Sequence, residues 1–284
     1  MDAQTLLLES FNLRWNTYKA ELKKCRKEFS EESVHDFRVA TRRLLSFLVM
    51  LRTFMQDAAI QKMRRALKNQ LDNLDDLRDT QTLLADISEA MRDVPALLPF
   101  QDYLKHEEKK LLRTARHDIK SLKISKLSKR VRRLQQMLKT FDHVGLDEKL
   151  FTAVDEAYAV VKQRYDLVDP GEPSTIHRLR IAFKKIRYMI EVIYPLLQNT
   201  PKDYLKKMHD YQSAMGDIQD MEAALQILAD FEEQASAAYD PETVRLYYRE
   251  RHTLAVSRYI EDKGEVFTFW RATPDKSFPE EKTA

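Results

Sequence analysis

The sequence predicts an all-α protein, and three observations carry that expectation. Glycine fills only 4 of 284 positions, which leaves little material for tight hairpins, bulges or phosphate-cradling loops. Charged residues make up 33% of the chain, and Leu, Ala, Glu, Lys and Arg dominate, which is helix-forming stock. Helix starts and stops recur along the whole length, while strand-like alternation is nearly absent.

Taken in order, Asp2 caps a first helix over Ala3–Glu28. Ser30 caps a second, with Glu31 and Glu32 favourably placed in its first turn, and it ends near Met55. A third runs from Asp57 to Arg92, and Pro95 opens a fourth. A strongly basic helix follows over Lys123–Thr140. Gly145 and Asp147 mark a stop and a new start, and that helix ends at the turn Asp169–Pro173, DPGEP. Pro173 opens a helix that ends near Tyr194-Pro195, and Thr200-Pro201 and Asp240-Pro241 open two more. Periodicity then fades, leaving Phe267, Phe269 and Trp270 to pin the C-terminal segment to the body.

Length allows one large domain or two small ones, with a sizeable core. The lone cysteine, Cys25, excludes an internal disulfide framework, fits a reducing compartment and is expected as a core-facing thiol. No apolar run approaches the ~20 residues of a membrane span, and the N-terminus has no signal-peptide pattern. A soluble cytoplasmic protein with no membrane partner is expected. Net charge is only +3, but unevenly spread. Lys105–Lys139 carries 13 Lys/Arg against three acids, whereas Thr200 to the end carries 11 against 17. Such segregation suits a polyanionic partner, and a solvated helix face gives the same pattern.

An internal repeat sharpens the picture. VHDFRVATRRLLSFL (34–48) aligns without gaps on IHRLRIAFKKIRYMI (176–190) at an offset of 142. His35 meets His177, Arg38 meets Arg180, Arg42 meets Lys184 and Arg43 meets Lys185. Further on, LDDLRD (74–79) aligns with MGDIQD (215–220) at an offset of 141. Two landmarks in the same order at nearly one offset indicate a duplicated four-helix unit with one extra basic helix near the join.

On a helix, Val34, Phe37, Thr41, Leu44, Leu45 and Leu48 form a core-facing stripe. His35, Arg38, Arg42 and Ser46 gather on the other side, matched by His177, Arg180, Lys184 and Tyr188 with Arg187 beside them. Acids are scarce there: Asp36 is alone between Val34 and Arg52, and none occurs from Ser174 to Ile190. Stacked like charges repel, so a row of this kind has a use. Arg offers a planar fork for two oxygens, Lys a compact point charge and His a donor near neutral pH. A row with such spacing suits a repeating anion, and phosphate fits it best.

A competing motif is Asp75-Asp76-Leu77-Arg78-Asp79, DDxxD, with Asp217 and Asp220 as a partial second copy. Paired Asp-rich motifs hold Mg²⁺ on a diphosphate in all-α isoprenoid synthases. Gly216 breaks the second copy, and the histidine–arginine repeat is left unexplained by that chemistry. The alternative is that Asp79 and Asp220 pair with cations of neighbouring helices. The seven histidines show no metal-ligand spacing, and neither a nucleophile elbow nor a P-loop occurs.

The paired motif H-x-x-R-[VI]-A-x-[RK]-[RK], with the later L-G-x-x-R-D-like segments at Leu74–Asp79 and Met215–Asp220, resembles the CHAD domain, the conserved histidine α-helical domain. The resemblance covers most of residues 1–265 as a standalone domain. It implies two four-helix bundles related by a pseudo-twofold axis, with basic helices lining a central groove or pore. The expected organisation is a first half with the basic linker helix over 1–143, a second half over 144–265 and a tail over 266–284. The implied function is non-enzymatic binding of inorganic polyphosphate, without metal or cofactor, by His35, Arg38, Arg42, Arg43, His177, Arg180, Lys184, Lys185 and Arg187. Arg64, Arg65, Lys68, Lys206 and Lys207 are weaker carry-overs that flank the groove or are solvated. Polyphosphate granules are the expected place of association. Departures from the pattern are Leu45 where a basic residue often stands, Asp75 for the Gly and Gln219 for the Arg, so the two halves are expected to bind unequally. The alternatives are a nucleic-acid or other polyanion-binding module using Lys105–Lys139, and a scaffold that recruits a phosphate-metabolising enzyme. The basic segment contains no Phe, Tyr or Trp, which counts against stacking on single-stranded bases.

Overall fold

A computed structural model describes residues 2–141, 144–197, 200–234, 241–275 and 278. Among them there is no strand, and the chain is all-α. The Asp2 carboxylate accepts from the Thr5 N–H at 2.9 Å and starts α1 (Ala3–Glu28). A reciprocal capping box between Ser30 and Ser33 starts α2 (Glu31–Phe54). Asp57 caps α3 (Ala58–Asp72), and α4 spans Asp75–Ala90. A 3₁₀ turn at Pro95–Leu97 leads into α5 (Leu98–Ser121), and α6 covers Ile124–Thr140. Gly145 takes a left-handed φ of 65° before α7 (Leu146–Asp166), a conformation that disfavours any side chain. The remaining helices are α8 (Pro173–Ile193), α9 (Tyr204–Glu232) and α10 (Pro241–Asp262), closed by a 3₁₀ turn over Lys263–Thr268.

Packing follows the same order twice. α1 packs on α2, α2 on α3 and α4 on α5; then α7 on α8, α8 on α9 and α9 on α10. α6 lies against α1 and α3. The two sets meet along α2 and α8, and again where α4 touches α9. Val34, Phe37, Thr41, Leu44 and Leu48 are buried from α2, as are Ile176, Leu179, Phe183, Ile186 and Ile190 from α8. Each large apolar side chain so buried contributes about 1.5–3 kcal/mol. The main core draws on both sets, and a second core joins Leu83, Ile87 and Phe100 to Leu228, Val244 and Tyr248. There Arg251 of α10 donates both its Nη1 and Nη2 to the Asp86 carboxylate of α4, each at 2.6 Å. The two sets are therefore cross-braced, which fixes the relative placement of α2 and α8. Cys25 is fully buried, and burial pushes its thiol up to about 11.

Some expectations fail in instructive ways. The single helix over Asp57–Arg92 breaks at Asn73-Leu74. Leu74 is buried with φ −118° and ψ 1°, and Asp75 and Asp76 then occupy the first turn of α4, where the helix dipole favours acids. The helix expected from Thr200-Pro201 begins at Tyr204 after a turn closed by Tyr204 N–H to Pro201 C=O at 3.0 Å. Leu45 is only half-buried, on the edge of the α2 stripe. Phe269 and Trp270 are buried, with Trp270 and Arg271 both held by Asp155, but Phe267 is 48% exposed and meets Tyr165 edge-on. Asp240 and residues 276, 277 and 279–284 of the expected tail lie outside the described residues. No helix among the described residues is long and apolar enough to cross a membrane.

Candidate functional site

Because α2 and α8 pack side by side, their cation rows face one another across a seam. Lys184 of α8 stands among Arg38 and Arg42 of α2 and Arg180 and Arg187 of its own helix. Burial first, and then the charges of these four arginines, push its amine down from 10.5 to about 7. Arg42 reaches across the seam towards Tyr188 of α8, and desolvation holds it below its ordinary value.

The two halves treat their first arginine differently. Arg38 is buried at 5% exposure and donates from Nη1 to the Leu71 carbonyl at 3.1 Å and from Nη2 to Asp75 Oδ1 at 2.7 Å. Leu71 lies in the last turn of α3, where its carbonyl accepts from the turn's Leu74 N–H at 2.9 Å and also from Arg38, so the α3–α4 break supplies Arg38 with both acceptors. Arg180 has no such partner. In α9 the chain runs on without a break, and Gly216 stands where the first half has Asp75. The Arg180 guanidinium lies over that glycine, so a Cβ there would sit 3.5 Å from Nη2. The Nε of Arg180 is buried without a hydrogen-bond partner in the protein. Burial holds Arg180 below its ordinary value, with the charge of Asp220 opposing the shift. Asp220 is itself pushed up by desolvation, against the charge of Arg180, and Asp79 is raised in the same way with Arg38 opposing.

This asymmetry is testable. A Cβ at Gly216 makes only ordinary contact, so Gly216→Asp places a carboxylate on Arg180 as Asp75 does on Arg38. Neutralising one cation of the seam is expected to shrink the salt dependence of polyanion binding by about one phosphate contact, with log–log slope changing by ~0.7. Measuring affinity against salt for wild type and variant checks it.

The other expected residues are scattered around this seam. His35 is exposed; loss of water around its ring, then the charge of Arg78, hold the imidazole below its usual range. His177 is half-buried, with Nδ1 unpartnered. Arg187 is buried, donating from Nη1 to Glu191 at 2.7 Å and from Nε to Gln212 at 2.9 Å, with its guanidinium 4.5 Å over the Tyr188 ring. It also lines a cleft of about 890 Å³ together with Arg43, Arg14 and Lys206, with Glu191 and Asp210 on the same wall. Lys185 is exposed and belongs to neither the seam nor the cleft lining. Of the flanking residues, Lys206 pairs with Asp210 at 2.6 Å, Lys207 with Asp203 at 3.0 Å and Lys68 with Asp72 at 2.6 Å, all at the surface. Arg65 is exposed, while Arg64 is half-buried beside Arg52 with its Nε unpartnered.

Sequence reasoning passed over Arg14 and Gln212, which carry no local signal. Arg14 comes from α1, and burial holds it below its ordinary value, with Glu191 opposing and Arg43 adding to the shift. Of the Asp motif, Asp75 is committed to an ion pair with Arg38, while Asp220 acts on Arg180 through its charge without a direct bond. Among the described residues no three His, Cys, Asp or Glu converge as metal ligands.

A family model described as the CHAD domain matches residues 11–229. The chain belongs to the CHAD family. The matched span holds every cation of the seam and of the larger cleft. The fold is similar to that in the crystal structure of the CHAD domain from the plant Ricinus communis, with a TM-score of 0.75 at 18% identity, over 96% of this chain and 95% of that chain. At that identity the likeness concerns the CHAD fold alone. No curated protein matches the sequence.

Proposed function

We propose that this CHAD protein binds inorganic polyphosphate along the α2–α8 seam without transforming it. One observation carries the proposal: Lys184 is surrounded by Arg38, Arg42, Arg180 and Arg187, whose charges add to burial in holding its amine down. Bringing that much like charge together at a half-buried position is unfavourable unless an anion enters. Arg38 is fixed by Asp75 and so acts as a rigid wall, while Arg42, Arg180 and Lys184 are left to bind. Arg187 and Arg43 continue the positive path into the larger cleft, where Arg14 and Lys206 stand. A path of this length favours a chain of phosphates over a single one. Binding releases counterions, and the protein's part is positioning and charge.

Titration with polyphosphates of defined length at two salt concentrations, with DNA as competitor, tests this. Affinity rises with chain length until the path is filled and falls steeply with salt. DNA displacing polyphosphate at equal phosphate concentration overturns the reading in favour of a general nucleic-acid module. Retained affinity for a protein partner alone, with no polyanion bound, favours a recruiting scaffold.

A further inference from the structure

The seam leaves the basic segment of α5 and α6 unused. α6 turns Leu127, Val131, Leu134 and Leu138 into the core against α1 and α3. Some of the segment's cations are paired at the surface: Arg133 with Asp57 at 2.6 Å and Lys110 with Glu107 at 2.6 Å. Lys123, Lys126 and Arg130 are placed differently. They line a cleft of about 260 Å³ between α3 and α6, facing the amide side chains of Asn69, Gln70 and Asn73.

We propose that this cleft is a separate binding site for a small phosphomonoester. No acid lines it, and it shares no lining residue with the larger cleft beside the seam. One carboxylate touches its rim, Asp118, which accepts from Asn73 Nδ2 at 3.2 Å. Three cations with no acid between them suit a dianion with several oxygens, which Arg and Lys bind by fork and point charge. The amides supply the rest. The Tyr18 hydroxyl donates to Gln70 Oε1 at 2.9 Å, which orients that amide and leaves its N–H groups as donors for a ligand. α6 begins in the same cleft with no side-chain cap, so its first N–H groups add to the positive end.

The site is preformed. Arg26 of α1 donates from Nε to the Ile119 carbonyl at 3.1 Å and from Nη2 to the Leu122 carbonyl, so the α5–α6 link is held before any ligand arrives. Ala66, Leu122, Ile124 and Leu127 complete the lining, an apolar edge that a bare phosphate leaves untouched and a small organic body covers.

The probes are glucose 6-phosphate, inorganic phosphate and a dinucleotide phosphodiester, each titrated into the full chain while amide NMR shifts are followed. Glucose 6-phosphate is expected to shift amides of Asn69–Asn73 and Lys123–Leu127 saturably, more tightly than inorganic phosphate. Lys126→Gln with Arg130→Gln weakens this about tenfold, as loss of charged phosphate contacts requires. Lys123→Gln gives a smaller loss in the same direction. Arg42→Glu with Lys184→Glu leaves the titration unchanged, so this site and the seam fail or stand separately. Shifts confined to α2 and α8, an unaffected Lys126/Arg130 variant, or a phosphodiester that binds as tightly as the monoester each overturn the proposal.

Discussion

Replacing Arg42 and Lys184 together by Glu is expected to abolish polyphosphate binding while the protein stays folded. Each change removes one charge-assisted phosphate contact, and such contacts contribute about 1.5–3 kcal/mol each. Two losses amount to about 10²–10⁴ in affinity, before the repulsion of the new carboxylates is added. The stability effect has the opposite sign. Glu at position 184 sits among Arg38, Arg180 and Arg187 as a counter-charge where a cation now stands, so Lys184→Glu alone is expected to hold or raise Tm. Stabilisation with loss of binding is what a functional charge cluster predicts. Calorimetry and a binding titration on the same preparations check both signs. Normal binding by the double variant removes the seam as the site, and a fall in Tm for Lys184→Glu contradicts the charge-crowding account.

The second large effect is on pH. In the free protein the Lys184 amine is lowered from 10.5 to about 7. Below pH 7 it is charged in both folded and unfolded chains, and its unfavourable placement is felt in full. Between pH 7 and 10.5 the unfolded chain binds the proton and the folded one does not. The stability of the free protein therefore rises with pH over that window, by a few kcal/mol at most, since each pKa unit is worth about 1.4 kcal/mol. Binding runs the other way. A bound polyanion favours the ammonium form, so above pH 7 binding takes up a proton and affinity falls by up to about tenfold per pH unit. Lys184→Arg keeps the charge and abolishes both pH effects. Titration calorimetry in buffers of different ionisation enthalpy reads the proton uptake directly. Equal uptake by wild type and Lys184→Arg assigns the proton to another group.

The placement of Lys184 shows how far sequence reasoning reached. The rows His35–Arg38–Arg42 and His177–Arg180–Lys184 were legible from the repeat alone, as were the helices that carry them, because cap residues and apolar stripes are local signals. Arg38 was expected to face a ligand, yet it is buried and committed to Asp75 and the Leu71 carbonyl. That commitment depends on a helix break at Asn73-Leu74 which nothing in the local sequence demands. Asn, Leu and Asp all continue a helix at modest cost, so the break is decided by what surrounds it.

The chain's order of residues was enough for the all-α class, most helix starts, the matched basic rows on α2 and α8, and the uneven spread of charge. Packing alone sets the rows against each other, commits Arg38 to Asp75, lays Arg180 over Gly216 without such a partner, and brings in Arg14 from α1. The difference is one of range. Helical periodicity and capping act over a few residues and are written in the order of the chain. The field around Lys184 comes from helices about 140 positions apart in sequence, and its strength is fixed by burial that only packing creates.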